Sequence, residues 1–145
     1  MPAADPFRPA LPPSDLVAAG LFLRRGTGPA SRWLLLRGRR SGEWGFPKGH
    51  QDPGEDIVGT ALRETAEETG LALVAITAPP LLLHYAVPSG RRKTVAYYPA
   101  VTIQSDVILS AEHRDHRWAS QAEVVRLVNH PNLVQLFRDH LASPC

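Results

Sequence analysis

The chain has 145 residues, 43% of them hydrophobic and 21% charged, with 16 basic and 14 acidic side chains for a formal charge of +2. This is one domain's worth of chain, long enough to bury a real core, and the small charge excess gives no ground for a stable nucleic-acid partner. The single cysteine, Cys145, excludes an intrachain disulfide. No apolar run approaches the roughly 18 residues of a membrane span, and no secretory signal opens the chain, so a cytoplasmic location is the default expectation.

Residues 1–13 carry Pro2, Pro6, Pro9, Pro12 and Pro13. Each fixes φ and removes a backbone donor, which predicts a flexible or extended leader before a single domain over 14–145. Asp15 to Arg25 is a largely apolar run that suits a buried strand, and Ser31 to Arg37, with Trp33 and three leucines, suits a second. Gly28-Pro29 between them marks a hairpin-like turn. Gly38 to Gly49 holds too many glycines for regular structure and reads as a loop anchored by Trp44 and Phe46. Its glycines let backbone N–H groups approach anionic oxygens, and Lys48 adds a point charge.

Asp52-Pro53-Gly54 is turn chemistry, and the proline-free run Ile57 to Thr69 suits a helix closed by Gly70 in the left-handed conformation. On that helix Glu64, Glu67 and Glu68 share a stripe, because positions i, i+3 and i+4 lie on one face. Val58, Leu62, Thr65, Ala66 and Thr69 lie on the other side and are expected to face the core. Like charges at this spacing repel, and a divalent cation is the natural compensator, since carboxylate oxygens are the ligands Mg²⁺ or Mn²⁺ prefers.

Leu71 to Thr77 and Leu81 to Val87 read as strands separated by Pro79-Pro80. Pro88 to Lys93 is a basic hairpin loop, and a strand follows over Thr94 to Gln104. Tyr97 and Tyr98 point to opposite faces of that strand, so one belongs to the core. Only two of the 16 basic residues are lysines, Lys48 and Lys93. An ammonium is not interchangeable with the arginine fork, so their placement carries information. Glu112 stands apart from other carboxylates in sequence; His113 and His116 are unsuited to hard, oxygen-seeking ions. Gln121 to Val128 and Leu133 to His140 read as amphipathic helices split by Pro131.

The stretch from Gly49 to Leu71 resembles the signature of the Nudix hydrolases. Gly49, Glu55, Arg63, Glu64, Glu67, Glu68, Gly70 and Leu71 occupy its fixed positions, and the one departure is Thr65 at an apolar position. The resemblance implies an α/β fold, an α/β/α sandwich with a mixed β-sheet, and divalent-metal chemistry with Mg²⁺ or Mn²⁺. It makes Glu64 and Glu68 the first metal ligands, Glu67 the next, and the Gly49 carbonyl and Glu112 further ones. Arg63 would orient carboxylates. Glu55 would tie loop to helix or serve as base, and the general base is otherwise Glu64 or Glu112.

W-G-F-P-K-G-H, K-T-V-A-Y-Y and the S-A-E-H-R region resemble one branch, the dinucleoside polyphosphate hydrolases. That likeness gives Lys48 and His50 contacts to the polyphosphate and Lys93 a phosphate contact. It sets Tyr85, 15 positions after Gly70, against an adenine ring, with Tyr97 beside it. The implied reaction is cleavage of diadenosine tetraphosphate to ATP and AMP, with a small-molecule nucleotide as partner. Nucleoside triphosphates, RNA 5′ ends or diphosphoinositol polyphosphates are the alternative substrates, the last suited to Arg39-Arg40 and Arg91-Arg92. A nucleotide-sensing module is the alternative that is not an enzyme.

Overall fold

The computed structural model describes residues 4–143. An eight-stranded mixed sheet lies between two helical layers. Its centre is β1 (Leu16–Arg25) paired in parallel with β7 (Arg92–Thr102), from Leu16 opposite Lys93 to Arg24 opposite Val101. All other pairings are antiparallel. β2 (Arg32–Gly38) meets β1 only at its start, through Arg24 opposite Trp33 and Arg25 opposite Arg32. It then pairs with β3 (Trp44–Gly45) and with β8 (His113–Ala119). β4 (Lys48–His50) adds to β1, while β5 (Val74–Ile76) and β6 (Leu81–Ala86) add to β7.

Strand alternation divides the core in two. One face carries Ala18, Phe22, Trp33, Val95 and Tyr97, covered by Val124 and Val128 around α2 (Gln121–Leu127) and by Leu133 and Phe137 of α3 (Pro131–Ala142). The other carries Ala19, Leu21, Leu34, Ala96 and Tyr98, covered by Ile57 and Ala61 of α1 (Ile57–Thr69). Both tyrosines are therefore core residues, one on each face. α2 starts at a capping box in which Ser120 and Glu123 satisfy each other's backbone N–H groups, and Pro131 opens α3 at a position that needs no donor.

Several expectations are corrected. The glycine-rich run is not wholly loop, since β3 and β4 form within it. The strand expected over Leu71 to Thr77 shrinks to three residues. β8 was not anticipated: it is a run of charged residues on which only Ala119 is fully buried, so it carries no apolar alternation. On α1 the buried stripe is Ile57, Thr60, Ala61, Thr65, Glu68 and Thr69, whereas Leu62 and Ala66 are exposed. The described part of the leader (residues 4–13) lacks regular structure but is docked. Phe7 packs on the α1-side core, its carbonyl accepts from the Tyr98 hydroxyl, and Arg8 forks onto Asp56 at the start of α1 at 2.8 Å on both oxygens.

Candidate active site

β4 is the hinge between sheet and helix. Gly20 allows it to lie so close to β1, because a Cβ there would stand 2.2 Å from the Pro47 carbonyl oxygen. Alternation along β4 sends Lys48 and His50 to the α3 face and leaves Gly49 facing α1. A Cβ at Gly49 would meet the Glu64 carboxyl at 2.0 Å, so the strand backbone and that carboxyl are in immediate contact. One turn later, Glu68 accepts from the Lys48 backbone N–H at 2.9 Å.

Arg63 organises the acidic face. Its Nε and Nη2 hold both oxygens of Glu55 at 2.7 and 3.0 Å, Nη1 reaches Glu64 at 3.0 Å and Glu67 at 3.1 Å, and Nη2 also donates to the His50 carbonyl at 3.0 Å. Glu55 accepts in addition from the Thr60 hydroxyl and the Asp52 N–H. These bonds, Arg63 first, hold the Glu55 carboxyl down at about 2. A carboxylate so fully engaged is a clamp between turn and helix; the geometry does not support the expectation of a base role for Glu55.

Glu64, Glu68 and Glu112 border one cleft of about 510 Å³, together with Lys48, Gly49, His50, Trp44, His113 and His130. Burial is the main reason the Glu64 carboxyl is raised, against the pull of Arg63. Burial also lifts Glu68 to about 8, helped by Glu64 and Glu112. Glu67 is not in this group. Its side chain is mostly exposed, paired with Arg63 at 3.1 Å, and stands outside the cleft lining.

Among the described residues no three His, Cys, Asp or Glu side chains converge closely enough to hold an ion as they stand. Arg63 engages Glu67 and one oxygen of Glu64. The donor set nonetheless fits a hard dication. Glu64, Glu68 and Glu112 all offer carboxylate oxygen to one space, and a positive charge there would relieve the desolvation that raises the first two.

The sheet brings three basic groups together: Lys48 and His50 line the cleft, and Lys93 stands on the same sheet face outside its lining. Lys93 stands opposite Tyr85 on β6 and Leu16 on β1, and is buried. Burial, then repulsion from Lys48, lowers its ammonium to about 8. Lys48 is lowered by burial against the pull of Glu68 and Glu64, and His50 by burial and then by Lys93, Lys48 and Arg91. Beside them lies a second cavity of about 480 Å³, lined by Leu83, Tyr85, Ala86, Tyr97 and the first turn of α3. Tyr85 is a half-buried wall. Tyr97 is 1% exposed, and its ring stacks on Phe22 at 4.9 Å with the planes 2° apart. Tyr85 and Tyr97 thus line the same cavity, with one face of Tyr97 taken by the core.

Three lining residues were not anticipated. His113 places Nε2 3.5 Å from Glu68 and leaves Nδ1 buried without a partner. His130 reaches Glu43 at 3.1 Å across the cleft wall. Leu133 borders both cavities. The Glu-His pair at 112–113 was the available signal for the first; nothing local marks the other two, which arrive by the packing of α3.

The chain matches the NUDIX domain family model over residues 15–140. The asymmetrical bis(5′-nucleosyl)-tetraphosphatase of Caenorhabditis elegans is 32% identical over 130 residues, 83% of this chain and 91% of that protein. The Rattus norvegicus protein of the same name is 43% identical over 89 residues, 58% of this chain and 60% of that protein. A crystal structure of a C. elegans Ap4A hydrolase binary complex superposes with a TM-score of 0.81 at 32% identity, over 88% of this chain and 96% of that one. The family match spans most of the chain and the C. elegans relative aligns over nearly its whole length, so the chain belongs to the Nudix family.

Proposed function

We propose that this chain hydrolyses dinucleoside polyphosphates, with diadenosine tetraphosphate the substrate and ATP and AMP the products, by attack of water on phosphorus. One observation carries the reading: Lys48, His130 and Leu133 border both the carboxylate-lined cleft and the Tyr85 cavity, so the two spaces adjoin. A purine against Tyr85 gains roughly 1–3 kcal/mol from stacking, as bases do on aromatic side chains elsewhere. Its phosphates then pass Lys48 and Lys93 and come within reach of Glu64, Glu68 and Glu112.

A divalent cation held by Glu64, Glu68, Glu112 and the Gly49 carbonyl, with Mg²⁺ our choice and Mn²⁺ the substitute, would shield the phosphorus and acidify a bound water. The chain's own groups do the rest. Arg63 holds one oxygen of Glu64, which fixes the rotamer and leaves the other oxygen outside its grasp. Lys48 and Lys93 offset phosphate charge in a desolvated setting, where the attraction is stronger than in water. His50 lies at the mouth of the same cationic group and joins it on the polyphosphate. The Glu112 carboxylate makes no hydrogen bond or ion pair with the described residues, and we assign it the proton from the attacking water. Among the described residues no helix is long and apolar enough to cross a membrane; a small-molecule nucleotide partner and a cytoplasmic setting complete the proposal.

The test is hydrolysis of diadenosine tetraphosphate in ¹⁸O-water, with Mg²⁺ and with chelator. Label in one product, and no reaction under chelation, is expected. Turnover confined to nucleoside triphosphates, RNA 5′ ends or diphosphoinositol polyphosphates would move the substrate. No turnover of any of these would leave a binding module.

A further inference from the structure

A third hollow, of about 620 Å³, is lined by Gly38, Arg39, Arg40, Ser41, Ala111 and Glu112. It shares Gly38, Ser41 and Glu112 with the carboxylate cleft and no residue with the Tyr85 cavity. The Tyr85 cavity meets the cleft through a different set, Lys48, His130 and Leu133. The three spaces therefore form a row, with the carboxylates in the middle and unlike ends. One end is aromatic and aliphatic; the other carries two guanidinium groups.

The basic end is built rather than loose. Gly42 donates to the Gly38 carbonyl at 3.0 Å, Gly38 to the Glu43 carbonyl at 2.9 Å, and Arg37 Nε to the Gly42 carbonyl at 2.8 Å. Gly42 closes this turn at φ 68°, a conformation natural to glycine. Arg39 is pinned to the turn that precedes β8: its backbone N–H donates to the Glu112 carbonyl and its Nε to the Ala111 carbonyl, both at 2.9 Å. The two terminal nitrogens of Arg39, and the whole Arg40 guanidinium, have no partner among the described residues. Arg39 thus bonds backbone oxygens and leaves the neighbouring Glu112 carboxylate free. One anchored and one unpartnered cation beside a carboxylate that they do not neutralise are available to something else.

The proposed substrate has two nucleotide ends, and the Tyr85 cavity takes one. The phosphate chain crosses the carboxylates, so the other end leaves on the Glu112 side. We infer that the Arg39–Arg40 loop is the subsite for the second nucleotide of a dinucleoside polyphosphate. The guanidinium groups pair with its phosphate, and their planes offer a face to its base. Because the loop is ordered by its own hydrogen bonds, little of that interaction is lost to ordering on binding. The inference rests on the substrate reading above.

Arg40 is the residue to change, since its guanidinium supports nothing else among the described residues. Calorimetry on Glu68→Gln protein, expected to bind substrate without cleaving it, compares diadenosine tetraphosphate with ATP, which lacks the second nucleotide. Arg40→Ala is expected to weaken the dinucleotide about tenfold relative to ATP, the size of one charge-assisted hydrogen bond, and Arg40→Glu further. Equal weakening of both ligands, or of neither, overturns the subsite. Thermal melts that match the parent protein's exclude unfolding as the cause. Hydrolysis of the dinucleotide by wild-type protein is assayed alongside. If wild type does not cleave it, the substrate reading falls and the subsite with it; if wild type cleaves it and Arg40 has no selective effect, the subsite alone falls.

Discussion

The Glu64 carboxyl rests against Gly49: a Cβ added to the glycine would lie 2.0 Å from Cδ, 2.1 Å from Oε2 and 2.5 Å from Oε1. The clash falls on the far end of a flexible side chain and not on backbone. Gly49→Ala should therefore spare the fold and displace the carboxylate. A displacement of that order costs about 100-fold in turnover when reacting groups must be held in line. The expected result is a melting temperature close to that of wild type with kcat down by that factor. An unchanged kcat would mean that the seat of Glu64 on β4 is irrelevant to the chemistry.

Glu68 gives a prediction in which activity and stability separate. It is 6% exposed, and its Oε1 accepts the Lys48 N–H. A glutamine keeps an oxygen for that bond and loses the charge. Turnover should fall by orders of magnitude while the fold stays intact. The folded carboxyl sits at about 8, above its unfolded value of 4.5, so the folded state holds the proton more tightly. Its contribution to stability is complete below 4.5 and is lost as pH rises through 8. With chelator present, Glu68→Gln protein should therefore gain on wild type as pH rises across this window, read by denaturant melts at each pH. A constant difference would place the carboxyl in its ordinary range.

These two glutamates show what sequence can and cannot supply. Ile57 to Thr69 was legible as a helix because a turn precedes it, no proline interrupts it and Gly70 closes it at φ 72°. Which side faces inward was not legible. A stripe of charge suggests solvent, yet Glu68 is buried, because the site turns carboxylates toward the sheet and leaves Leu62 outside. β8 was hidden for the reverse reason. His113 to Ala119 earns its place through backbone pairing with β2, and its side chains show no apolar alternation. Lys48, His50, Tyr85 and Lys93 were nameable from the family resemblance, but their common face follows only from the register of β4, β1, β7 and β6.

Arg63 joins Glu55, Glu64, Glu67 and the His50 carbonyl, and no other residue could hold all four. Arg63→Ala should lower the melting temperature and reduce kcat, and Arg63→Lys should recover little, because an ammonium cannot grip both Glu55 oxygens at once. Acid dependence checks the mechanism. Glu55 sits at about 2 in the fold against 4.5 unfolded, so its contribution is present above 4.5 and lost as pH falls toward 2. The stability gap between wild type and Arg63→Ala should accordingly narrow over that interval. A gap independent of pH would show that the arginine acts through packing alone.

Lys93 predicts the alkaline limb of substrate binding. Burial and Lys48 place its ammonium at about 8, below the usual 10.5. Above pH 8 it loses the charge that draws phosphate, so KM should rise on that side while kcat changes less. The same shift makes the folded state bind fewer protons than the unfolded one between 8 and 10.5, so its contribution to stability grows with pH there. Lys93→Arg should flatten the KM profile, since a guanidinium does not titrate in this range. A KM rise that persists in the arginine variant would assign the limb to another group.

The two tyrosines that line the cavity beside the cleft should fail in different ways. Tyr85 is half-buried on β6 and stands opposite Lys93, so its ring can take a base while the lysine takes the phosphate that follows. Tyr85→Ala should raise KM about tenfold through lost stacking, with the melting temperature little changed, and Tyr85→Phe should restore most of the loss. Tyr97 packs between sheet and α3, stacked on Phe22 and edge-on to Phe46. Removing that ring opens a large hole in the core, and Tyr97→Ala should cost about 3–5 kcal/mol of stability. The contrast follows from strand alternation and burial. A Tyr97→Ala protein of wild-type stability with a selectively raised KM would instead make Tyr97 the platform, and would require the Phe22 stack to open when nucleotide binds.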